Sequence, residues 1–368
     1  MELTTEEKLH YSRHLLMPEL GEEGQLKLKQ AKVLIIGAGG LGCPVLQYLA
    51  AAGIGKIGIV DGDVVEESNL HRQILFSVND LKQPKAEIAA KKLRLLNPHI
   101  DITVYNEFLD SDNALEIISE YDIVADGTDN FATRYLVNDA CVITGKINVF
   151  ASILKFQGQV TVFNYSENKT RGINYRDLFP TPPKAGSIPS CAEAGVLGVL
   201  PGLVGSIQAN EVIKLITGIG STLSGELLTI DALTMNTTKL NLAVDPKQKP
   251  ITKLIDYDIF CGTKKEDKIE ITVSEFNALK QSGEPFYLLD VREQSEYELA
   301  NLGGKLIPLS QLESRSNEIP RDKKIVVHCK MGGRSAQAIE ILKEKGIEHI
   351  YNLKGGIDEY LRYEHNRR

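Results

Sequence analysis

Three places along this chain combine residue types and spacings that could do chemistry. The first is a glycine turn. The apolar run VLIIG leads directly into Gly37-Ala38-Gly39-Gly40-Leu41-Gly42, and Asp61 closes the next apolar run, 24 residues beyond Gly37. Glycines there let the backbone approach a phosphate-bearing ligand at a helix N-terminus, and the following acid suits ribose hydroxyls. Alone, the spacing says only nucleotide; its plainer meaning is a tight strand-to-helix turn, and its commonest functional meaning is NAD-dependent hydride transfer. The second place argues against hydride transfer. After Asp61 come Asp63, the run Ser68-Asn69-Leu70-His71-Arg72-Gln73, Lys85, and Asp126-Gly127-Thr128-Asp129-Asn130. Arginine and lysine beside a nucleotide suit a polyphosphate, and a carboxylate at a strand's C-terminal end suits a partly hydrated magnesium ion. Singly, Arg72 and Lys85 read as surface charges and Asp129 as a helix cap ahead of Thr133. Gathered on one sheet edge, they read as a site.

The third place is Cys329-Lys330-Met331-Gly332-Gly333-Arg334-Ser335, after the β-rich run IVVHC. Loop N–H groups, the following helix N-terminus and Arg334 would stabilise a thiolate or a terminal persulfide anion. Phosphatase loops place five residues between cysteine and arginine; here four intervene, which disfavours phosphate. The plain alternative is a buried structural cysteine.

Positioning these residues requires alternating strands and helices. Two short helical patterns, 6–17 and 22–31, precede the first strand. From Val33 onward, β-branched runs (VLIIG, IGIVD, ITVY, DIVAD, INVFASI) alternate with amphipathic stretches at 41–52, 84–96, 112–119 and 133–143. That alternation predicts a parallel, doubly wound sheet with helices on both faces. QGQVTVFNY, an apolar helix over 200–217, and strands over 226–231 and 238–242 add an antiparallel extension; the polar, Pro-rich stretch 166–190 predicts a long loop. The Pro-, Lys- and Asp-rich segment 246–268 predicts a linker, separating a domain over 1–245 from a second α/β series over 269–368.

Length and composition agree with two domains. The 368 residues are 42% hydrophobic and 25% charged, ordinary globular values. With 42 basic and 49 acidic residues the net charge is −7, which disfavours nucleic acid as the main partner. Five cysteines without a C-x-x-C pair, and no apolar run near membrane-spanning length, predict a protein of the reducing cytoplasm.

The run GAGGLGCPVLQYLAAAGIGKIGIVDGDVVEESNLHRQILF, with DGTDN and CAEAGVLGVLPGLVGSIQANEVIK, closely resembles the MoeB and ThiF family, bacterial relatives of ubiquitin-activating enzymes. The match covers roughly residues 5–245. The resemblance implies a Rossmann-like, mostly parallel sheet and ATP-dependent adenylation of the C-terminal glycine of a ubiquitin-like sulfur carrier ending in Gly-Gly. It implies that Gly40, Asp61, Ser68, Asn69, Arg72, Lys85, Asp129 and Asn130 bind ATP, beside the backbone of Gly37, Gly39 and Gly42. Asp129 would hold magnesium, and Arg13 would reach the site of a partner subunit in a homodimer. The Cys329 loop, LLDVRE from Leu288 and NLKGGI from Asn352 resemble a rhodanese domain, which carries sulfur on that cysteine. Asp290 and Arg292 are expected to organise its edge. Cys191 matches a family cysteine that in several members attacks the acyl-adenylate or forms an acyl disulfide; packing at a helix entry is the alternative. Cys43 and Cys141 read as core residues.

One departure stands out. Most relatives hold a structural zinc with two C-x-x-C pairs, where this chain has Asn174, Asp177, Asp258 and Cys261. One thiol, one amide and two carboxylates make a poor zinc set, so no zinc is expected. The pattern implies an adenylyltransferase fused to a sulfurtransferase of the molybdopterin type, fed by a persulfide donor such as a cysteine desulfurase. Thiamin or tRNA-thiolation carriers, an oxidoreductase with a rhodanese domain, and a protein that only docks the carrier remain the alternatives.

Overall fold

Strand β1 (Lys32–Ile36) buries four consecutive apolar side chains, Val33 and Ile35 into one core and Leu34 and Ile36 into another, as a strand covered on both faces must. A computed structural model of the protein describes residues 2–165, 171–183, 194–263 and 270–365. The chain divides into two compact units, Met1–Lys264 and Lys265–Arg368.

The first unit opens with helices α1 (Thr5–His10), α2 (Ser12–Leu15) and α3 (Gly21–Gln30). A Thr4–Glu7 capping box starts α1. The helix expected over 6–17 breaks at Tyr11, which is buried, closes on Gly53 and accepts a hydrogen bond from Asn97 at 2.9 Å. After β1 come α4 (Gly42–Ala52), β2 (Lys56–Val60), α5 (Lys85–Leu96), β3 (Asp101–Tyr105), α6 (Ala114–Ser119), β4 (Ile123–Asp126) and α7 (Phe131–Thr144). Then follow β5 (Ile147–Leu154), β6 (Gln157–Phe163), α8 (Tyr175–Leu178), α9 (Leu200–Thr217), β7 (Glu226–Asp231), β8 (Asn236–Asn241) and α10 (Tyr257–Phe260).

The sheet order is β3-β2-β1-β4-β5-β6-β7-β8. Strands β3, β2, β1, β4 and β5 pair in parallel, and β5 to β8 pair antiparallel. This is the doubly wound sheet with an antiparallel extension that the alternation predicts. The order reverses between β1 and β4, where open α/β sheets bind ligands. Register places Ile36 opposite both Val60 and Asp126, bringing Gly37, Asp61 and Gly127 to one edge.

The segment 246–263 differs from its reading as linker. Tyr257 and Cys261 are buried in the second core, with Leu254, Ile255 and Phe260 packed against it, and the first unit runs to Lys264. Its few apolar residues are concentrated where they pack, while the Pro and Lys residues that dominate its composition lie mostly outside.

The second unit contains β9 (Glu270–Ile271), α11 (Val273–Ser282), β10 (Phe286–Asp290), α12 (Gln294–Leu299), β11 (Lys305–Leu306) and α13 (Leu309–Arg315). It ends with β12 (Lys324–His328), α14 (Gly333–Glu344), β13 (Ile350–Leu353) and α15 (Gly356–His365). Its five strands pair in parallel in the order β11-β10-β12-β13-β9. Residue 328 pairs with Asp290 at the C-terminal edge, and Cys329 follows directly.

Candidate functional site

The first unit's edge is built around two glycines. Gly37 has φ +89, and a Cβ on Gly42 would lie 1.8 Å from the Gly37 carbonyl oxygen, so the turn closes only without side chains. Asp61 braces it: Oδ2 accepts the Ala38 N–H at 2.7 Å and Oδ1 accepts that of Asp63 at 2.8 Å. Burial raises the Asp61 pKa, opposed by those bonds and by Lys85. Beneath the turn Asp126 is fully buried; burial raises its pKa, while Thr128 gives its N–H and hydroxyl to Oδ1 at 2.9 and 2.7 Å.

The run 68–73 lies over the glycines. Arg72 donates to the Ser68 carbonyl at 3.0 Å and contacts the His71 ring nitrogen at 2.9 Å. Its Cδ would lie 3.7 Å from a Cβ on Gly40, and the Gln73 amide nitrogen 3.8 Å from one on Gly39. Asn69 Oδ1 and Gln73 Oε1 are buried without a hydrogen-bond partner. Buried polar atoms are normally paired, so these two acceptors suit a ligand with N–H or O–H groups. Leu70 instead packs against the core. Lys85 is buried at the start of α5 and pairs with Asp63 at 3.1 Å.

At the end of β4 the two candidate polar residues divide. Asn130 caps α7, its Oδ1 accepting the Thr133 N–H at 2.8 Å. Asp129 therefore is not the cap: it is exposed and makes no hydrogen bond or ion pair with the described residues. It borders a cavity of about 1570 Å³ lined also by Arg134, Phe150, Gln159, Tyr175 and Cys261. No group of three or more His, Cys, Asp or Glu side chains is placed to hold a metal among the described residues. Magnesium's preference for water and phosphate oxygens with one or two carboxylates still fits the exposed Asp129. Arg13 is exposed on α2, with no hydrogen bond or ion pair to the described residues.

The second unit concentrates on Cys329, buried at the end of β12. Its Sγ accepts the Gly332 N–H at 3.1 Å and lies 3.3 Å from the Ser335 hydroxyl. Burial pushes the thiol up, but the Ser335 hydroxyl and the N–H groups of Ser335, Gly332 and Met331 outweigh it and hold the thiol below its ordinary range. Arg334 is placed differently from expectation: it forms a bidentate pair with Glu296 at 2.6 and 2.7 Å, and its field, not a hydrogen bond, reaches the sulfur. The Asp290–Arg292 pair is buried, with Arg292 also donating to the Ala300 carbonyl at 2.7 Å. It thereby ties β10 to α12, the structural role expected of it. The sequence carries Ser335 and Asn352 only as members of their motifs and does not single out Glu296; the fold alone joins Asn352 to Ser335 and Glu296 to Arg334.

The other thiols contrast with Cys329. Burial pushes Cys43 up to about 12, opposed by the Leu75 backbone, and raises Cys141 as well; both sit in the cores. Cys191 lies outside the described residues.

The four positions that in relatives would hold zinc are occupied otherwise. Asn174 Oδ1 caps α8 through the Arg176 N–H at 2.9 Å. Asp177 accepts from the backbone of Asn174 and Asp245 and pairs with Arg171 at 2.7 and 2.8 Å. Asp258 accepts from the Thr263 hydroxyl at 2.9 Å, and burial pushes the Cys261 thiol up to about 11. Nearby, Arg176 forms a bidentate pair with Asp139 at 2.8 and 2.6 Å and packs over the rings of Tyr135 and Phe260. The Tyr257 hydroxyl donates to Asp139 at 2.8 Å. This polar clamp joins α7, α8 and α10.

Comparison with known proteins agrees with both halves. The ThiF family profile matches residues 11–251 and the rhodanese-like domain profile residues 272–363. The chain is 46% identical over 364 residues to the probable adenylyltransferase/sulfurtransferase MoeZ of Mycobacterium tuberculosis, covering 96% of this chain and 93% of that one. It is 41% identical over 393 residues to the adenylyltransferase and sulfurtransferase MOCS3 of Xenopus laevis, covering 96% and 86%. A sulfur carrier protein adenylyltransferase of Thermus thermophilus is 50% identical over 269 residues, 71% of this chain and 99% of that one. Among solved structures, E. coli MccB with ATP matches with TM-score 0.56 and 26% identity over 65% of this chain and 72% of that one. The chain therefore belongs to the ThiF family and, with its rhodanese-like domain, is an adenylyltransferase and sulfurtransferase.

Proposed function

We propose that the first unit adenylates the C-terminal glycine of a ubiquitin-like sulfur-carrier protein ending in Gly-Gly, and that Cys329 supplies the sulfur that converts it to a thiocarboxylate. The observation that carries this reading is the gathering of Arg72, Lys85 and Asp129, which has no partner among the described residues, at the edge that holds the glycine turn. ATP fits there: the turn takes phosphate, Asp61 faces the ribose, and the orphan acceptors Asn69 Oδ1 and Gln73 Oε1 find donors. Magnesium, held by Asp129 and phosphate oxygens, would neutralise charge on the pyrophosphate.

The carrier's carboxylate is ionised at neutral pH and needs no general base. It attacks the α-phosphorus, pyrophosphate leaves, and an acyl-adenylate forms. Arg72 and Lys85 screen the charge growing on the leaving group. Arg13, exposed and without a partner among the described residues, reaches across to the other subunit of a homodimer. The cavity beside Asp129 suits the entering tail.

A persulfide donor such as a cysteine desulfurase leaves a terminal sulfur on Cys329. That sulfur attacks the acyl carbon, AMP leaves, and an acyl disulfide forms. A second thiol, Cys191 in this reading, attacks Sγ of Cys329 and releases the thiocarboxylate; a dithiol reductant then reduces the resulting disulfide. Such chemistry needs a reducing cytoplasm, in keeping with the free Cys43, Cys141, Cys261 and Cys329. No helix among the described residues is long and apolar enough to cross a membrane. A carrier of the molybdopterin type is the first choice, as in the fused arrangement the sequence resembles.

ATP–pyrophosphate exchange with purified Gly-Gly carriers tests this. Exchange should require a carrier and fail in Asp129→Ala, while Cys329→Ala should keep exchange and lose thiocarboxylate formation. Bound NAD with no exchange would refute adenylation.

A further inference from the structure

Behind the sulfur loop stands a side chain that does not touch the sulfur. Asn352, on β13, is buried. Its Nδ2 donates to the Gly332 carbonyl at 3.1 Å, and its Oδ1 accepts from the Ser335 hydroxyl at 2.7 Å. Gly332 and Ser335 are two of the groups that reach Cys329 Sγ, at 3.1 and 3.3 Å. Gly332 is held at φ +109, with Asn352 Nδ2 lying 3.8 Å from where its Cβ would be.

A serine hydroxyl carries one proton. Three acceptors surround this one: Asn352 Oδ1, the Gly332 carbonyl at 3.1 Å and Sγ. With a neutral thiol the proton belongs to the amide oxygen, the shortest contact. With a thiolate or persulfide, the charge-assisted bond to sulfur is stronger, and the hydroxyl needs only a rotation about its C–O bond to deliver it. The oxygen stays where the amide has parked it. The Gly332 carbonyl, in the next peptide unit, is tied back by Nδ2, which steadies the backbone of the residue whose N–H meets sulfur.

We propose that Asn352 is a positioning residue for Cys329, acting through the Ser335 hydroxyl and the backbone of Gly332 to hold both donors in place for sulfur anions. This deepens the reading of Cys329 as the sulfur carrier and rests on it. The lowered thiol pKa is consistent, since the bonds that oppose burial come from these same groups. Other charged and titratable side chains around the loop are Lys330 and Arg334, Glu296 paired with Arg334, Asp358 and Glu359 on α15, and His328 beside Asp290 and Arg292. The substitutions below leave all of them in place.

The test is the pH dependence of Cys329 alkylation by iodoacetamide in the full chain, read by mass spectrometry of its peptide from about pH 5 to 10. Asn352→Ala should raise the midpoint by about one pH unit, as should Ser335→Ala. The double variant should match Ser335→Ala more closely than the sum of both, because Asn352 acts in part through that hydroxyl. An unchanged midpoint in a variant with the parental thermal melt overturns the proposal; so do fully additive shifts. If Asn352→Ala does not fold, Asn352→Ser is read by the same criteria. Failure of the sulfur-carrier reading is visible separately, as thiocarboxylate formation that survives Cys329→Ala.

Discussion

Arg334 and Glu296 meet in a bidentate ion pair, with Nη1–Oε2 at 2.6 Å and Nη2–Oε1 at 2.7 Å, linking the first turn of α14 to the first turn of α12. The arginine beside the sulfur is therefore fixed and largely neutralised by its partner. Stabilisation of sulfur anions falls mainly to backbone N–H groups and Ser335.

Glu296 gives this pair a pH signature. The Arg334 hydrogen bonds hold its carboxyl down to about 2 from an ordinary 4.5. Because the folded value is depressed, the pair's contribution is fully present above about pH 4.5 and is lost as pH falls toward 2. Glu296→Gln should destabilise the second unit at pH 7 and reduce the pH dependence of its melting temperature between pH 4.5 and 2, as followed by calorimetry of the full chain. An undiminished pH slope in the variant would refute the assignment.

The Arg176–Asp139 clamp is buried on both sides. Removing one partner leaves an uncompensated charge, so Arg176→Ala or Asp139→Ala should cost about 3–5 kcal/mol in denaturant melts of the first unit. Tyr257→Phe, which loses one bond to Asp139, should cost about 1 kcal/mol. A chelator should leave the melts unchanged.

Two glycines of the same turn should separate fold from function. A Cβ on Gly42 would meet the Gly37 carbonyl at 1.8 Å, whereas one on Gly40 would meet Pro201 side-chain atoms at 3.3 Å. Gly42→Ala has backbone against it and should lose more than about 2 kcal/mol. Gly40→Ala should fold and instead weaken ATP binding, measured by equilibrium titration.

Thiol reactivity should single out one described cysteine. Cys43, pushed up to about 12, has roughly one thiolate in ten thousand at pH 8. Brief alkylation at that pH should label Cys329 and spare Cys43, Cys141 and Cys261, read by peptide mass spectrometry. Equal labelling of Cys43 and Cys329 would contradict the hydrogen-bond argument.

Local patterns carried much of this into the sequence. Val33 to Ile36 and the glycines after them announce a buried parallel strand and a ligand-facing turn, because both depend on neighbours along the chain. Asn130 and Asp129 were harder: either could cap α7, and only the Thr133 N–H contact separates them. The alternating run ITVSEF imitates a strand, yet only Glu270–Ile271 pairs as one and helix α11 begins at Val273, its start marked by the Thr272–Glu275 capping box. Residues 246–263 read as linker because Tyr257 finds Asp139 across 118 positions, a partnership no window of sequence contains. Arg334 is the same case, since its partner Glu296 lies on another helix.

The clamp joining α7, α8 and α10 has a chemical consequence for an enzyme that handles reactive sulfur. A joint ligated by thiolates would share its chemistry with persulfides and thiocarboxylates, each able to compete for a thiophilic ion. Guanidinium, carboxylate and phenol offer sulfur nothing to attack or extract. The fastening that holds Tyr257 to α7 therefore stays inert to the enzyme's own nucleophile.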